Sequence, residues 1–490
     1  MFARSSHTLL LALPLLSCVA AGSIVRVPRS PAKTNNSIVQ LFEWPWDSVA
    51  SECTSFLGPL GMDSLKKLYN FSSVTGDQWW TDYQPVSYIL TSKRGNREQF
   101  ASMVSTCSDA GVGIIVDVVL NHMTAGKGTG FAGSSYSKYN YPAVPYTASQ
   151  FHYCAGAVAA DISDYNNITN VRFCELDSLS DLAQGQPEVQ ASIAGYLKDL
   201  MSLGVTGFRV DASKHMEPED LATIFSTVGG SPYYTQEVPR GGASTPAQYT
   251  SNGDVIEFGA TAYAMNSFLG NSGATVSNMV TPDPMGPSWD LLDSNKANYI
   301  MANQDTERGT TSLNSNSPNN AYTLSAIFML GFNYGTPTVY SGYDFTNFDI
   351  GAPQDSAGNT NKVTCFSNGF RCEHRWTAIA NMNLFHNAVG TAKLTNVFVG
   401  TPQQVAFGRG SVGFLVINND ANTWSETWKT SLPAGTYCDV IHDTDSDPKT
   451  CSGTTYDVSS DGTFTASVSA YDALALYSGS SFYFLGSQRL

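Results

Sequence analysis

Charge is scarce in this chain of 490 residues, and positive charge scarcer still: 14% of positions are Asp, Glu, Lys or Arg, with 26 basic against 41 acidic. The formal net charge of −15 excludes nucleic acid and anionic membrane surfaces as partners, because phosphates attract the opposite sign. Long apolar runs are also missing. Beyond the N-terminus no stretch is apolar for long enough to span a bilayer, so no membrane anchor is expected. There is no CxxC, no EF-hand loop and no repeat of fixed period, which removes the common zinc, redox, calcium-sensor and solenoid readings. The stretch "GTGFAG" from Gly128 to Gly133 fits the dinucleotide-binding pattern but opens no helix and lies in an irregular region, so it is not read as a cofactor site.

What is there is apolar and aromatic material for a large core: 42% apolar residues, with 24 Tyr and 25 Phe. Arg4 precedes "LLLALPLLSCVAA", and small residues at Ala20, Ala21 and Gly22 offer a cleavage site, so residues 1–22 read as a secretory signal and 23–36 as a flexible lead-in. Of the nine cysteines, Cys18 lies in that signal; an even number remains, and in an oxidising compartment this argues for disulfides whose pairing the sequence alone leaves open. Sequons at Asn35, Asn70 and Asn167 fit an exported chain.

Across residues 37–122 and 181–393 strand-like and helix-like segments alternate: "SIVQLFEW", "WDSVASECTSFL", "NREQFASMVSTCSDAG", "VGIIVDVVLNH", "PEVQASIAGYLKDLMSLG", "VTGFRVD" and so on. Such alternation predicts right-handed crossovers and a parallel sheet or barrel. Residues 123–180, rich in Gly, Ser, Tyr and Asn, read as an inserted irregular lobe. From 394 to 478 short alternating segments separated by Gly, Asn and Asp predict an antiparallel β domain, and 479–490 is a tail without an assigned place.

Polar groups collect at the ends of four predicted strands. "IIVDVVLNH" carries Asp117, Asn121 and His122; "GFRVDASKH" carries Arg209, Asp211, Lys214 and His215; "YYTQEV" carries Glu237; "IMANQDTER" carries Asn303, Gln304 and Asp305. A single acid at a strand end is usually a solvated cap. Three acids at three strand ends of one sheet are what a barrel enzyme needs, because its reacting groups come from the C-terminal ends of different strands. Arg209 and Asp211, two residues apart in a strand, point to the same side, which sets a cation beside a carboxylate.

These four segments, in this order, resemble the conserved regions of the α-amylase family of glycoside hydrolases. "FEWPWDSVASEC", "WWTDYQPVSY", "GNREQFASMV" and "CEHRW" are similar in particular to animal-type α-amylases, over nearly all of the chain after the signal. The resemblance implies a (β/α)8 TIM barrel, a lobe inserted after strand 3 and a C-terminal antiparallel β-sandwich. It implies a secreted, monomeric, endo-acting enzyme that cleaves internal α-1,4 bonds of starch or glycogen with retention. Asp211 would be the nucleophile, Glu237 the acid/base and Asp305 the third carboxylate. Arg209 would keep Asp211 ionised by lowering its pKa. Trp79, Trp80, Tyr83, Gln84, His122, Arg209, Lys214, His215 and Gln304 would contact substrate. A structural Ca2+ would sit on Asn121, Asp181 and the backbone carbonyls of Arg172 and His215. The implied disulfides are Cys53–Cys107, Cys154–Cys174, Cys365–Cys372 and Cys438–Cys451. A transglycosylating or maltogenic relative is the alternative enzyme, separable by its products on amylose.

Three departures from the family pattern carry expectations. Gln304 replaces the usual histidine; it can donate to a sugar hydroxyl but cannot become charged. Thr338 replaces the second arginine of an activating chloride site, so no chloride dependence is expected. Residues 62–74, "MDSLKKLYNFSSV", stand where relatives carry an apolar strand, and Leu65 and Leu68 with paired lysines read as a short helix. A barrel without that strand leaves its neighbours unpaired. Either an unusual strand forms, or the chain is a mis-assembled, catalytically impaired gene product, and the sequence favours the latter.

Overall fold

The computed structural model describes residues 37–61, 64–69, 71–154, 160–444 and 450–482. The expected signal and lead-in, the sequons at Asn35 and Asn70 and the tail beyond Phe482 lie outside the described residues.

Eight parallel strands close into a barrel: β1 (Ile38–Leu41), β2 (Ser64–Tyr69), β3 (Gly113–Val119), β4 (Gly207–Asp211), β5 (Tyr233–Gln236), β6 (Asp254–Ile256), β7 (Ala297–Ile300) and β8 (Thr336–Ser341). Each pairs with its sequence neighbours, and β8 returns to β1 with Ile38 opposite Thr338. β3, "GIIVDVV", is buried from Ile114 onward, as a parallel strand covered on both faces must be.

The helices that cover the barrel follow from local signals. α1 (Arg97–Asp109) starts at a capping box, in which Asn96 Oδ1 accepts from the Gln99 backbone N–H at 3.0 Å and Gln99 Oε1 accepts from that of Asn96 at 3.0 Å. It buries Phe100, Met103, Val104 and Cys107, one face at helical spacing. α2 (Pro187–Ser202) opens on a proline, whose missing N–H costs nothing in the first turn.

The expected short helix within 62–74 is not found. The backbone of 64–69 is β2, with Ser64 opposite both Ile38 and Gly113 and Leu65 opposite both Val39 and Ile114. A helix this short is marginal by itself, whereas a strand satisfies the ladder groups of β1 and β3 that would otherwise be left unpaired. The register with β3 shifts between Lys66 and Tyr69, which marks where the unusual sequence is accommodated. The barrel is closed, and the case for an impaired barrel built on a missing strand falls with the helix.

The inserted lobe is tied back to the barrel by a short antiparallel pair, His122 with Asp181 and Met123 with Ser180. All four disulfides form as the resemblance implied. The C-terminal domain stacks a four-stranded antiparallel sheet on smaller ones around its own core of Phe414, Val416, Trp428, Phe464 and Leu476. Ser481 and Phe482, within the expected tail of 479–490, pair with Tyr437 and Thr436 and so extend this domain.

Candidate active site

The C-terminal ends of β4, β5 and β7 meet at one mouth of the barrel. Arg209 lies inside, 1% exposed, and its guanidinium holds three carboxylates: Nη1 is 2.8 Å from Asp117 Oδ1 and 2.6 Å from Asp211 Oδ1, and Nη2 is 2.5 Å from Glu237 Oε1. The two strand ends lock together, since Glu237 N–H donates to the Val210 carbonyl at 3.0 Å and Lys214 N–H to the Glu237 carbonyl at 3.2 Å. Beyond Asp211 the chain turns through Ala212 at φ 48°, from which the Ala212 N–H reaches Glu237 Oε2 at 3.1 Å.

Asp305 joins from the segment after β7. Asn303 Oδ1 accepts the backbone N–H of Asp305 at 3.1 Å and of Thr306 at 2.9 Å, fixing the turn. Gln304 Nε2 donates to Asp305 Oδ2 at 2.8 Å and to Tyr83 Oη at 2.9 Å, and Tyr83 Oη donates to Asp117 Oδ2 at 3.0 Å. One hydrogen-bonded path therefore runs from Asp305 through Gln304, Tyr83, Asp117 and Arg209 to Asp211, and the Arg209 ion pair extends it to Glu237. Asp211 and Glu237 share the Arg209 guanidinium, and Asp305 is joined to it through Gln304, Tyr83 and Asp117.

The electrostatics of Asp211 differ from expectation. Burial pushes the Asp211 carboxyl well above the usual carboxylate range; Arg209 pulls it down, and Glu237 and Asp117 push it up again. The expected lowering by Arg209 is outweighed because one guanidinium is divided among three carboxylates in a desolvated site.

The remaining predicted site residues fall into groups. Trp79 is buried, donating Nε1–H to the Phe348 carbonyl at 2.8 Å and packing edge-on against Tyr83 and Phe348. Trp80 is half-buried and donates to Asp349 Oδ1 at 3.0 Å. Gln84 is engaged by the Thr124 hydroxyl at 3.0 Å. His122 is turned inward: Nε2–H donates to the Tyr83 carbonyl at 3.0 Å and Nδ1 accepts from Asn121 Nδ2 at 3.2 Å. Burial holds its pKa down at about 4, so it is neutral. Lys214 spends Nζ on the carbonyls of Pro239 at 2.8 Å and Gly241 at 2.6 Å, bracing the loop after Glu237, and burial lowers its pKa. His215 Nδ1 bonds the Val171 carbonyl at 3.1 Å, which brings the segment after β4 against the lobe helix Ile168–Phe173, where Arg172 lies.

Asn121 and Asp181 sit side by side, for Leu182 N–H donates to the Asn121 carbonyl at 2.9 Å. Asn121 Oδ1 and Asp181 Oδ1 are both buried, and neither finds a hydrogen-bond donor among the described residues. Two orphaned oxygens, an amide oxygen and a carboxyl oxygen, are ligands suited to a hard cation.

Two contributors escaped the sequence reading. Gln40 lies in the apolar run "IVQL" of β1, is 2% exposed and donates from Nε2 to Gln304 Oε1 at 3.4 Å. The signal was a polar residue in a buried strand. Arg308 lies within 5.6 Å of the ring centroids of Phe42, Trp79, Tyr343 and Phe345 and donates to the Gln304 carbonyl at 3.0 Å.

Comparison with known proteins agrees with this geometry. Residues 56–241 match the alpha amylase catalytic domain and residues 399–479 the alpha amylase C-terminal all-beta domain. The chain is 40% identical to the alpha-amylase of Tenebrio molitor, covering 84% of this chain and 90% of that one. It is 38% identical to the alpha-amylase of Streptomyces violaceus, covering 94% of this chain and 78% of that one. The crystal structure of a mutant of alpha-amylase I from Eisenia fetida, in complex with maltohexaose, superposes with a TM-score of 0.87 at 33% identity, covering 92% of this chain and 98% of that one. The chain belongs to the α-amylase family and is a glycoside hydrolase.

Proposed function

We propose that this chain is a secreted, monomeric, endo-acting α-amylase that hydrolyses internal α-1,4-glucosidic bonds of starch or glycogen by double displacement. The observation that carries the reading is the single guanidinium of Arg209 bound at once to Asp211 and Glu237, at 2.6 and 2.5 Å, with Asp305 on the same network. Two carboxylates held by one cation are close neighbours, and a separation of roughly 5 Å is what retention requires.

In this reading Asp211 attacks the anomeric carbon while Glu237 donates its proton to the leaving glycosidic oxygen, breaking the C–O bond and leaving a glycosyl ester on Asp211. Glu237, now a carboxylate, takes a proton from water, whose oxygen attacks the same carbon and releases Asp211. Asp305 binds ring hydroxyls and stabilises positive charge on the sugar in the transition state. Trp80 and Tyr83 offer ring faces to the sugars.

Asn121, Asp181 and the carbonyls of Arg172 and His215 would hold a calcium ion, which when bound braces the lobe on the barrel. The two orphaned oxygens support this assignment. Thr338, whose hydroxyl accepts from Asn298 Nδ2 at 2.8 Å, supplies no cation for an anion, and activity independent of chloride is expected. Export is supported by the four disulfides, by exposed Asn167 in its sequon, and by the lack of any membrane-crossing helix among the described residues.

The test is product analysis on amylose with the anomer followed by NMR. Mixed oligosaccharides with the α configuration, abolished in Asp211→Asn and Glu237→Gln, are expected. Maltose as the one early product would displace the endo reading, and β-anomers would displace retention.

A further inference from the structure

We infer that Gln304 is a positioning residue that sets Asp305 against the other two carboxylates, and not the sugar ligand its sequence position suggests. This rests on the proposed hydrolysis.

A primary amide has two N–H groups and one oxygen. Both hydrogens of Gln304 have acceptors inside the protein, Asp305 Oδ2 at 2.8 Å and Tyr83 Oη at 2.9 Å. Its oxygen faces Gln40 Nε2 at 3.4 Å, and the residue is 1% exposed. A sugar hydroxyl could accept from Gln304 only by displacing one of these bonds, one of them charge-assisted.

The orientation of the amide is determined from three sides. Turned over, it would bring Oε1 against the Asp305 carboxylate and Nε2 against the amide of Gln40. Tyr83 cannot reverse its own bond, because its proton goes to Asp117 Oδ2 at 3.0 Å, and the other Asp117 oxygen faces Arg209 Nη1 at 2.8 Å. The main chain is held as well, by Arg308 Nη1 on the Gln304 carbonyl at 3.0 Å. Donor direction is thus uniform from Gln304 through Tyr83 to Asp117 Oδ2, and the neutral amide links Asp305 to the buried cation that holds Asp211 and Glu237. A charge-neutral link does this without adding a titrating group to the mouth.

The test is a double-mutant cycle on a chromogenic maltoheptaoside, with kcat and KM measured separately. Gln304→Met is expected to lower kcat about 30-fold with KM within about twofold of wild type. Tyr83→Phe, which keeps the ring, is expected to lower kcat about 10-fold, and the double variant no more than about 50-fold, well short of the roughly 300-fold that independent effects would give. Gln304→Glu, which sets a second carboxylate against Asp305, should fall below Gln304→Met. Should Gln304→Met fail to fold, Gln40→Met leaves both donors in place and is expected to lower kcat about threefold through the released oxygen. A KM rise of about tenfold with kcat kept, single effects that multiply, or an unaltered kcat in Gln40→Met would each overturn the inference. A wild-type enzyme inactive on amylose would instead sink the proposed function; an active one with an additive cycle sinks only this inference.

Discussion

The barrel mouth and the C-terminal domain bury side chains to the same extent and fill the space with opposite chemistry. Toward the mouth Gln40, Asp117, Arg209, Asn298 and Gln304 are each no more than 2% exposed; in the C-terminal domain Phe414, Val416, Trp428, Leu474 and Leu476 are equally buried, with Arg409 and Asn418 among its few polar residues buried as deeply. Desolvating a charge costs several kcal/mol even when it is paired, and apolar residues of similar volume are often as stable or more so. The apolar cluster around Trp428 is what a chain builds for stability. Charges kept in the barrel mouth cost folding energy, which the proposed hydrolysis would account for.

The contrast can be broken from either side. The largest expected effect is at the mouth: Asp211→Asn should lower hydrolysis by about three orders of magnitude or more while the melting temperature stays level or rises, since one of the carboxylates crowding Arg209 has lost its charge. A fall in activity matched by a fall in stability would erase the distinction.

The converse experiment is Trp428→Ala. This ring packs edge-on against Trp424 at 5.2 Å and near Phe464 at 5.7 Å, and its removal should cost about 3–5 kcal/mol by denaturant titration, with kcat of the folded fraction within about twofold of wild type. Loss of kcat without loss of stability would show that the second domain takes part in the chemistry.

Metal removal should be intermediate. Treatment with EGTA is expected to lower the melting temperature by roughly 3–10 °C and to increase proteolysis within 123–180, because the orphaned oxygens of Asn121 and Asp181 would be left uncompensated. Asn121→Ala should reduce that EGTA sensitivity.

The smallest effect concerns His442 of the C-terminal domain, between Asp439 Oδ2 at 2.6 Å and Asp472 Oδ1 at 3.2 Å. Hydrogen bonds to these acids raise its pKa from 6.5 to about 10. A raised pKa in the folded state gives stability that is fully present below pH 6.5 and lost as pH rises through about 10. The side chain is 49% exposed, so screening holds the gain under about 1 kcal/mol. His442→Gln should melt lower than wild type at pH 6, and the two should converge above pH 10.

The two regions also differ in how far the amino-acid sequence announces them. The ends of β3, β4 and β5 were legible because short periodic runs stop at charged residues, and an i, i+2 pair such as Arg209 and Asp211 shares a face whatever the rest of the chain does. β2 was not, since "SLKKLY" has no strand period of its own and forms one because two neighbours offer open ladders. The resemblance assigned His122 to substrate; what no local pattern shows is that its ring nitrogens bond Asn121 and the carbonyl of Tyr83, 39 positions away. Gln304 has the same history, with Gln40 264 positions distant.

Sequence alone therefore determined which residues stand at the strand ends, the alternation that makes a barrel, and the acidic balance of charge, because these depend on local period and composition. Which hydrogen-bond partner each polar side chain takes, whether Asp211 gains or loses proton affinity, and whether β2 exists were decided only by the closed barrel. Those quantities depend on desolvation and on groups brought within about 3 Å from distant parts of the chain, and no local pattern encodes that distance.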